Sequence, residues 1–392
     1  MVNLSRWRNS SFGLVLGGIA HAFDPGHPLT MALPSTPCLV LDVDALRRNV
    51  ARMAEFAKDR GLRLRPHAKT HKSREVAALQ AQAGAVGICC ATLYEAEQLA
   101  GAAPSILLTS PIAGPQAIAR VAALVERGVD LAVVADHPAF LSALATALPA
   151  EGRLSVLVDI DPGMGRTGVA SPADAVALAR AITAHASLRF GGIQYYCGGE
   201  QHIPALAARR AAIGMRNIRL AGTISALTSA GLQPAVVTGG GTGTHGIDAD
   251  AGLLTELQAG SYVFMDQDYG ACELGGAGPF ELALTVHATV VSANQAGWVT
   301  IDAGIKAIAT DSGRPAVMRG APTDSVYGFT GDEFGRLDLP AQGAPLAVGT
   351  RIVMAASHCD PTANLHGIYH LMKDNAAAGI WLAEARGYGP TP

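Results

Sequence analysis

Arg65-Pro-His-Ala-Lys-Thr-His-Lys-Ser73 places one lysine, Lys69, just past a short apolar run (Leu62, Leu64) and among Arg65, His67, His71 and Lys72. Neighbouring cations disfavour an ammonium ion, so this setting predicts a lowered pKa and an available neutral amine. A neutral amine is what Schiff-base chemistry with an aldehyde cofactor requires. A basic, solvent-facing loop is the competing reading. What lies at the ends of the other β-type runs decides between them.

Those runs are Leu62–Pro66, Val86–Cys90, Ile106–Thr109, Leu131–Val134, Ser155–Asp159, Phe190–Tyr195, Ala235–Val237 and Ser261–Phe264. They are apolar almost throughout, as parallel strands covered on both faces are. Helical stretches such as Ala173–Ala186 and Ile203–Ala230 alternate with them. Eight such units predict an α/β fold, a TIM-like (β/α)8 barrel, over residues 36–272, with a doubly wound open sheet as the alternative. Beyond residue 272 the texture changes. Leu282–Val291, Gly297–Asp302, Arg351–Ala355 and Gly379–Glu384 read as strands joined by turns, so residues 273–392 are expected to form a mainly β domain. Cys38–Asp42 either pairs with that domain or leads into the barrel.

Composition narrows the function classes. Only 16% of residues are charged and the net charge is −3, which gives no electrostatic reason to expect nucleic acid or an anionic membrane as partner. No apolar run approaches the roughly 20 residues a spanning helix needs. The six cysteines are scattered without paired spacing, as free thiols in a reducing, cytoplasmic setting would be. Residues 1–35 read as a leader or N-terminal segment. Arg6 and Arg8 precede the apolar Phe12–Ala20 stretch, so export is the alternative, and Met31 is an alternative start.

In a (β/α)8 barrel the active site lies at the C-terminal ends of the strands, with phosphate often held after the seventh and eighth. Thr238-Gly-Gly-Gly-Thr-Gly243 follows the seventh run and offers bare backbone N–H groups to an anion, from Thr238 through Gly240, Gly241 and Thr242. Gln258-Ala-Gly-Ser-Tyr262 brings Ser261 and Tyr262 to the eighth. A glycine run alone is ordinarily a turn. Opposite a candidate Schiff-base lysine it becomes a phosphate cradle, and lysine plus phosphate imply pyridoxal 5′-phosphate (PLP). Arg166, in Asp161-Pro-Gly-Met-Gly-Arg166, would reach the cofactor's phenolic oxygen unless it is a surface arginine. Tyr196 would pack on the ring or remain in the core.

Ser357-His-Cys-Asp-Pro-Thr362 is the second signal. In an extended chain residues i and i+2 share a face, so His358 and Asp360 point together and Cys359 points away. Pro361 biases Asp360 toward extended backbone. An imidazole and a carboxylate so placed make an open two-point metal site, favouring Mn²⁺ first and Mg²⁺ or Ca²⁺ next over Zn²⁺.

Together these segments resemble the D-threonine aldolase family, relatives of eukaryotic-type D-serine dehydratases with an alanine-racemase-like, fold type III architecture. The resemblance rests on Arg65–Lys69, Gly87-Ile-Cys-Cys90, Gly163–Arg166, Thr238–Gly243, Thr255–Tyr262, Phe264-Met-Asp266, Asp302-Ala-Gly304, Ser357–Thr362 and Asn364-Leu-His366, in order over residues 36–387. It implies Lys69 as the PLP lysine, His358 and Asp360 as ligands of a divalent metal, and Gly240–Thr242 at the phosphate. It also implies His202, after Tyr196, as the catalytic base. The implied reaction is reversible cleavage of a D-β-hydroxy-α-amino acid to glycine and an aldehyde, in a homodimer. A D-serine or D-threo-3-hydroxyaspartate dehydratase of the same fold is the first alternative, and a non-catalytic PLP-binding protein the second. Two positions depart from the family pattern: Cys197, where many relatives have His, and Phe334, where relatives tend to have His. Both are expected to bear on substrate preference or pocket polarity.

Overall fold

The computed structural model describes residues 34–148 and 153–388. The leader expected over residues 1–35 lies, up to residue 33, outside the described residues, as does Met31. The first strand is β1 (Cys38–Asp42). Parallel strands follow: β2 (Arg63–Leu64), β3 (Ile88–Cys90), β4 (Ile106–Leu108), β5 (Leu131–Ala135), β6 (Leu154–Ile160), β7 (Leu188–Tyr195), β8 (Val236–Gly239) and β9 (Glu256–Leu257). Between and after them run α1 (Val43–Asp59), α2 (Arg74–Gln82), α3 (Leu93–Leu99), α4 (Pro115–Glu126), α5 (Leu141–Ala147), α6 (Pro172–Thr183), α7 (Leu206–Ser229) and α8 (His245–Ala251).

The sheet runs β2-β9-β8-β7-β6-β5-β4-β3: β3 to β9 lie each beside its neighbour in sequence with no reversal of order, and β2 lies beside β9. Its two ends are joined where His67, beyond β2, bridges Cys89 of β3. Cys89 N–H donates to Pro66 O (2.8 Å) and Ala68 N–H to Cys89 O (2.8 Å). That closure makes a barrel and removes the doubly wound alternative. Alternation along the strands divides the side chains. Cys89, Leu107, Val134 and Leu157 form a small cluster of their own inside the barrel, while Ile88, Ile106, Val133 and Val156 join the larger core under the helices.

The eighth barrel strand differs from expectation. It is Glu256–Leu257, and Ser261–Val263 is a 3₁₀ turn. Polar Glu256 and Gln258 hide the strand from an apolarity reading. Glu256 is 1% exposed, and Arg65, one residue past the adjoining strand, pairs with it at 2.9 Å. The apolar run Tyr262–Phe264 is buried instead against α1, where Asn49 Nδ2 donates to Val263 O (3.2 Å).

The second sheet holds β10 (Leu284–Gln295), β11 (Trp298–Ile301), β12 (Ala316–Arg319), β13 (Val326–Phe329), β14 (Gly335–Asp338), β15 (Arg351–Ala355), β16 (Ile368–Lys373) and β17 (Ala376–Leu382). Strand β1 belongs to it, antiparallel to β10 (Cys38↔His287) and parallel to β16 (Leu39↔Tyr369). Two short helices, α9 (Gln267–Gly270) and α10 (Cys359–Asn364), lie where the sheet meets the barrel mouth. Gln267 N–H donates to Ala356 O (3.0 Å), Cys359 N–H to Asp266 Oδ2 (2.9 Å) and the Tyr369 hydroxyl to His71 O (2.6 Å). These bonds seat α10 over the C-terminal ends of the barrel strands. Among the described residues no helix is long and apolar enough to cross a membrane. All six cysteines are unpaired.

Candidate active site

A pocket of about 250 Å³ opens at the barrel mouth. It is lined by Lys69, Arg166, Tyr196, His202, Gly241, Thr242, Ser261, His358 and Asp360 from the sequence-derived set, together with His67 and Tyr269. Thr238, Gly240 and Tyr262 are not among its lining residues. Thr238 Oγ1 accepts from Gln258 Nε2 (3.1 Å) beneath the floor. Tyr262 is fully buried behind the wall, where its hydroxyl accepts from Gln80 Nε2 (3.1 Å) and its backbone N–H donates to Thr242 Oγ1 (3.0 Å). Tyr262 therefore holds the cradle residue in place; its ring does not reach the pocket. The two departures from the family pattern also stand outside the lining. Cys197 is buried and Phe334 is about half exposed in the second sheet's loops, so within one protomer neither sets the polarity of the pocket.

The expected depression of the Lys69 pKa is reversed. Lys69 Nζ lies 3.2 Å from Asp360 Oδ2, and that carboxylate raises the lysine's pKa above its ordinary value. The neighbouring cations are diverted. Arg65 pairs with Glu256 and donates to Ser105 Oγ (2.7 Å). Burial holds His67 and His71 neutral, His71 down to about 3. Lys72, adjacent in sequence space but turned inward, is the lysine that burial destabilises as an ammonium. Its Nζ donates to the backbone carbonyls of Lys69 and Asp360 (3.0 Å to the latter). Proximity in sequence had counted the charges without showing where the side chains turn.

The glycine run expected to cradle a phosphate brings Gly241 and Thr242 to the pocket. It precedes α8, with Gly240 at φ +72°. A Cβ on Gly241 would come within 2.5 Å of Gln201 Oε1, and one on Gly243 within 2.0 Å of Gln201 O. The loop accepts no side chain there. Gln201 is fully buried and pins it: its Oε1 accepts Gly243 N–H (3.0 Å) and its Nε2 donates to Cys197 O (3.1 Å) and Thr244 Oγ1 (2.9 Å). His245 closes the far side. Its Nε2 accepts Ala277 N–H (2.9 Å), so Nδ1 carries the proton and donates to Thr242 O (2.8 Å). Burial lowers the His245 pKa to about 4, keeping the ring neutral.

His358 and Asp360 do face the pocket together, but not in an extended chain. His358 has extended backbone (φ −139°, ψ 122°) and caps α10, whereas Asp360 sits in the first helical turn. Pro361 is tolerated there because the first helical N–H groups lack intrahelical acceptors. The face is shared because of this turn. His358 Nδ1 lies 2.6 Å from Asp311 Oδ2, which leaves Nε2 for the pocket. Asp360 Oδ1 accepts from Ser261 Oγ (3.2 Å). Burial alone would raise the Asp360 pKa, but Lys69, His358 and Lys72 outweigh it and hold the carboxyl far below its usual range. One imidazole nitrogen and one ionised carboxylate, with Cys359 turned into the core, suit a hard or borderline divalent ion with open positions. No cluster of three or more His, Cys, Asp or Glu residues able to hold a metal occurs among the described residues.

His202 stands beside them, its ring 6.4 Å from that of His358 and 4.4 Å from that of Tyr269. Burial lowers its pKa, with Asp268 opposing. The Arg166 guanidinium lies 5.5 Å over the Tyr196 ring. Asp268 and Asp311 were missed in the sequence, which carries no signal for them: each acts on a residue brought close only by folding. Gln201 stands in the Gly-x-x-Gln-His stretch that contains His202, but its hold on the glycine loop was not legible there.

The model of the family described as "Alanine racemase, N-terminal domain" matches residues 41–268, more than half of the chain, and that described as "Putative serine dehydratase domain" matches residues 283–372. A D-threonine aldolase from Arthrobacter sp. is 38% identical over 369 residues, covering 93% of this chain and 95% of that one. The chain belongs to the D-threonine aldolase family. This is a family of lyases with an alanine-racemase-like fold. A 3-hydroxy-D-aspartate aldolase from Paracoccus denitrificans (strain Pd 1222) is 36% identical, covering 90% of this chain and 92% of that one. The crystal structure of D-threonine aldolase from Filomicrobium marinum superposes with a TM-score of 0.86 at 36% identity, covering 90% and 96%. A cysteine-to-alanine variant of D-threo-3-hydroxyaspartate dehydratase, solved in a metal-free form, reaches 0.78 at 30% identity, covering 92% and 99%. Fold and aldolase relatives imply PLP as cofactor, and the side-chain-free cradle facing Lys69 fits it.

Proposed function

We propose that the protein cleaves D-β-hydroxy-α-amino acids, D-threonine among them, reversibly to glycine and an aldehyde, with PLP on Lys69 and a divalent metal, Mn²⁺ first, on His358 and Asp360. The observation that carries this reading is the pairing of an imidazole with a carboxylate, rather than a thiolate, beside Lys69 at the mouth of the barrel. PLP supplies, when bound, the sink for the electron pair freed as the Cα–Cβ bond breaks. A divalent ion supplies, when bound, polarisation of the substrate's β-hydroxyl.

The chain's own groups do the rest. Gly241 and Thr242 line the space for the phosphate, and Thr238 and Gly240 shape the loop from behind. Arg166 and Tyr196 bound one side of the pocket and hold a planar ring against it. Asp360 keeps Lys69 charged and anchored while no carbonyl is present. His202 is neutral near pH 7, since burial lowers its pKa, and so it can accept the β-hydroxyl proton. Ser261 steadies Asp360.

A dehydratase is the second reading, favoured by the similarity to D-threo-3-hydroxyaspartate dehydratase. Incubation of the purified protein with PLP, Mn²⁺ and D-threonine separates the two. Glycine and acetaldehyde are expected; 2-oxobutanoate and ammonia would establish the dehydratase instead. A PLP-binding protein without catalysis would give neither pair of products.

A further inference from the structure

We infer that Asp268 is the positioning residue of His202, fixing its imidazole with the proton on Nδ1 and Nε2 offered to the pocket. The inference rests on the reading of His202 as the base. Asp268 Oδ2 lies 3.2 Å from His202 Nδ1. At this angle the pair forms no hydrogen bond, and Nδ1 is buried without any other partner among the described residues. A buried ring nitrogen cannot be left without a partner cheaply, so the carboxylate beside it selects the tautomer in which that nitrogen is a donor.

The ring's plane is restrained separately. Tyr269 packs against it at 4.4 Å between centroids with 40° between planes. His202 and Tyr269 line the pocket, whereas Asp268 does not. Asp268 thus touches the base without touching the substrate.

The same short segment also fixes the opposite imidazole. Asp268 N–H donates to Ser357 O (3.2 Å) and Gln267 N–H to Ala356 O (3.0 Å), immediately before His358. The Asp266 carboxylate accepts Tyr269 N–H (2.9 Å) with one oxygen and Cys359 N–H (2.9 Å) with the other, immediately after His358. Residues 266–269 therefore form one frame. Its side chain at 268 orients His202, and its backbone and Asp266 hold the turn that delivers His358. The frame thus places the backbone on which His358 stands, Asp311 sets the turn of its ring, and the two imidazole rings end 6.4 Å apart.

The test uses the holoenzyme loaded with PLP and Mn²⁺ in four forms: native, Asp268→Asn, His202→Ala and the double variant. For D-threonine, Asp268→Asn is expected to lower kcat by ~10–100-fold, the usual cost of losing an orienting partner. KM and PLP content, read from cofactor absorbance, should stay near native values. In the His202→Ala background the same change should cost nothing further, because a group acting through an absent base has nothing left to orient. Asp268→Glu, which keeps the charge, should recover part of kcat and guards against a folding defect in the amide variant. An equal loss with and without His202, or a native kcat in Asp268→Asn, would overturn the inference. Native turnover in His202→Ala would overturn the base assignment itself and is a separate outcome.

Discussion

The Thr238–Gly243 wall and the His358–Asp360 wall face each other across one pocket, yet they hold their shapes by different means. The cradle is closed mostly by its own neighbours. Thr244 Oγ1 accepts Gly241 N–H (3.2 Å), His245 holds Thr242 O, and Gln201 from the preceding barrel loop fills the space below. The His358–Asp360 turn borrows nearly every restraint. Asp311 fixes His358, Ser261 and Lys69 hold Asp360, Lys72 takes the Asp360 carbonyl, and Asp266 takes Cys359 N–H. A site half self-contained and half convergent should fail in two separable ways.

Asp360→Asn should separate them most sharply. It removes the charge and keeps the shape, so turnover should fall by ~10³-fold, the scale of several kcal/mol of charge stabilisation. Stimulation by Mn²⁺ should vanish while PLP absorbance persists. Metal stimulation surviving in this variant would remove Asp360 from the metal site.

Gly243→Ala attacks the other wall. Its Cβ would lie 2.0 Å from a backbone carbonyl that cannot swing aside, at a cost of about 3 kcal/mol. PLP content and the thermal midpoint should fall, and the response of the remaining holoenzyme to Mn²⁺ should be native. Normal PLP content in Gly243→Ala would show that the loop does not hold the phosphate.

The smallest effect is a dependence on pH. The His245 pKa in the fold, about 4, lies below its ordinary value of about 6.5. The buried neutral ring therefore contributes its full share of folding stability above pH 6.5, and that share is lost progressively as pH falls toward 4. At pH 5.5, one unit below the ordinary pKa, folding stability should be lower than at pH 7 by about 1.4 kcal/mol, read from the thermal midpoint. A His245→Gln variant whose thermal midpoint falls as steeply from pH 7 to pH 5 as the native protein's would show that His245 is not the group responsible.

Barrel strands were legible where apolar residues recur, as in Ile106–Leu108 and Leu131–Ala135. Glu256–Leu257 was not, because its burial depends on Arg65 across the sheet. The short, mixed strands Ala316–Arg319 and Gly335–Asp338 were not anticipated either, since their partners Arg351–Ala355 and Trp298–Ile301 stabilise them from elsewhere in the chain. In the site, Lys69, the glycine run and the His-x-Asp spacing were visible because each is a local pattern. Tyr262 was misplaced because sequence spacing does not show which face of a turn enters the core.

By itself the sequence determined the chemistry available: one lysine past an apolar run, a glycine-rich loop, and an imidazole two residues from a carboxylate. Local dihedral limits and residue chemistry suffice for that. Tertiary structure alone decided how Lys69 is charged. The cations beside it in sequence turn to Glu256, lose their charge on burial or point inward, and the Asp360 carboxylate arrives from a second sheet. Electrostatic energy depends on distance through space and on desolvation, and neither can be read along the chain.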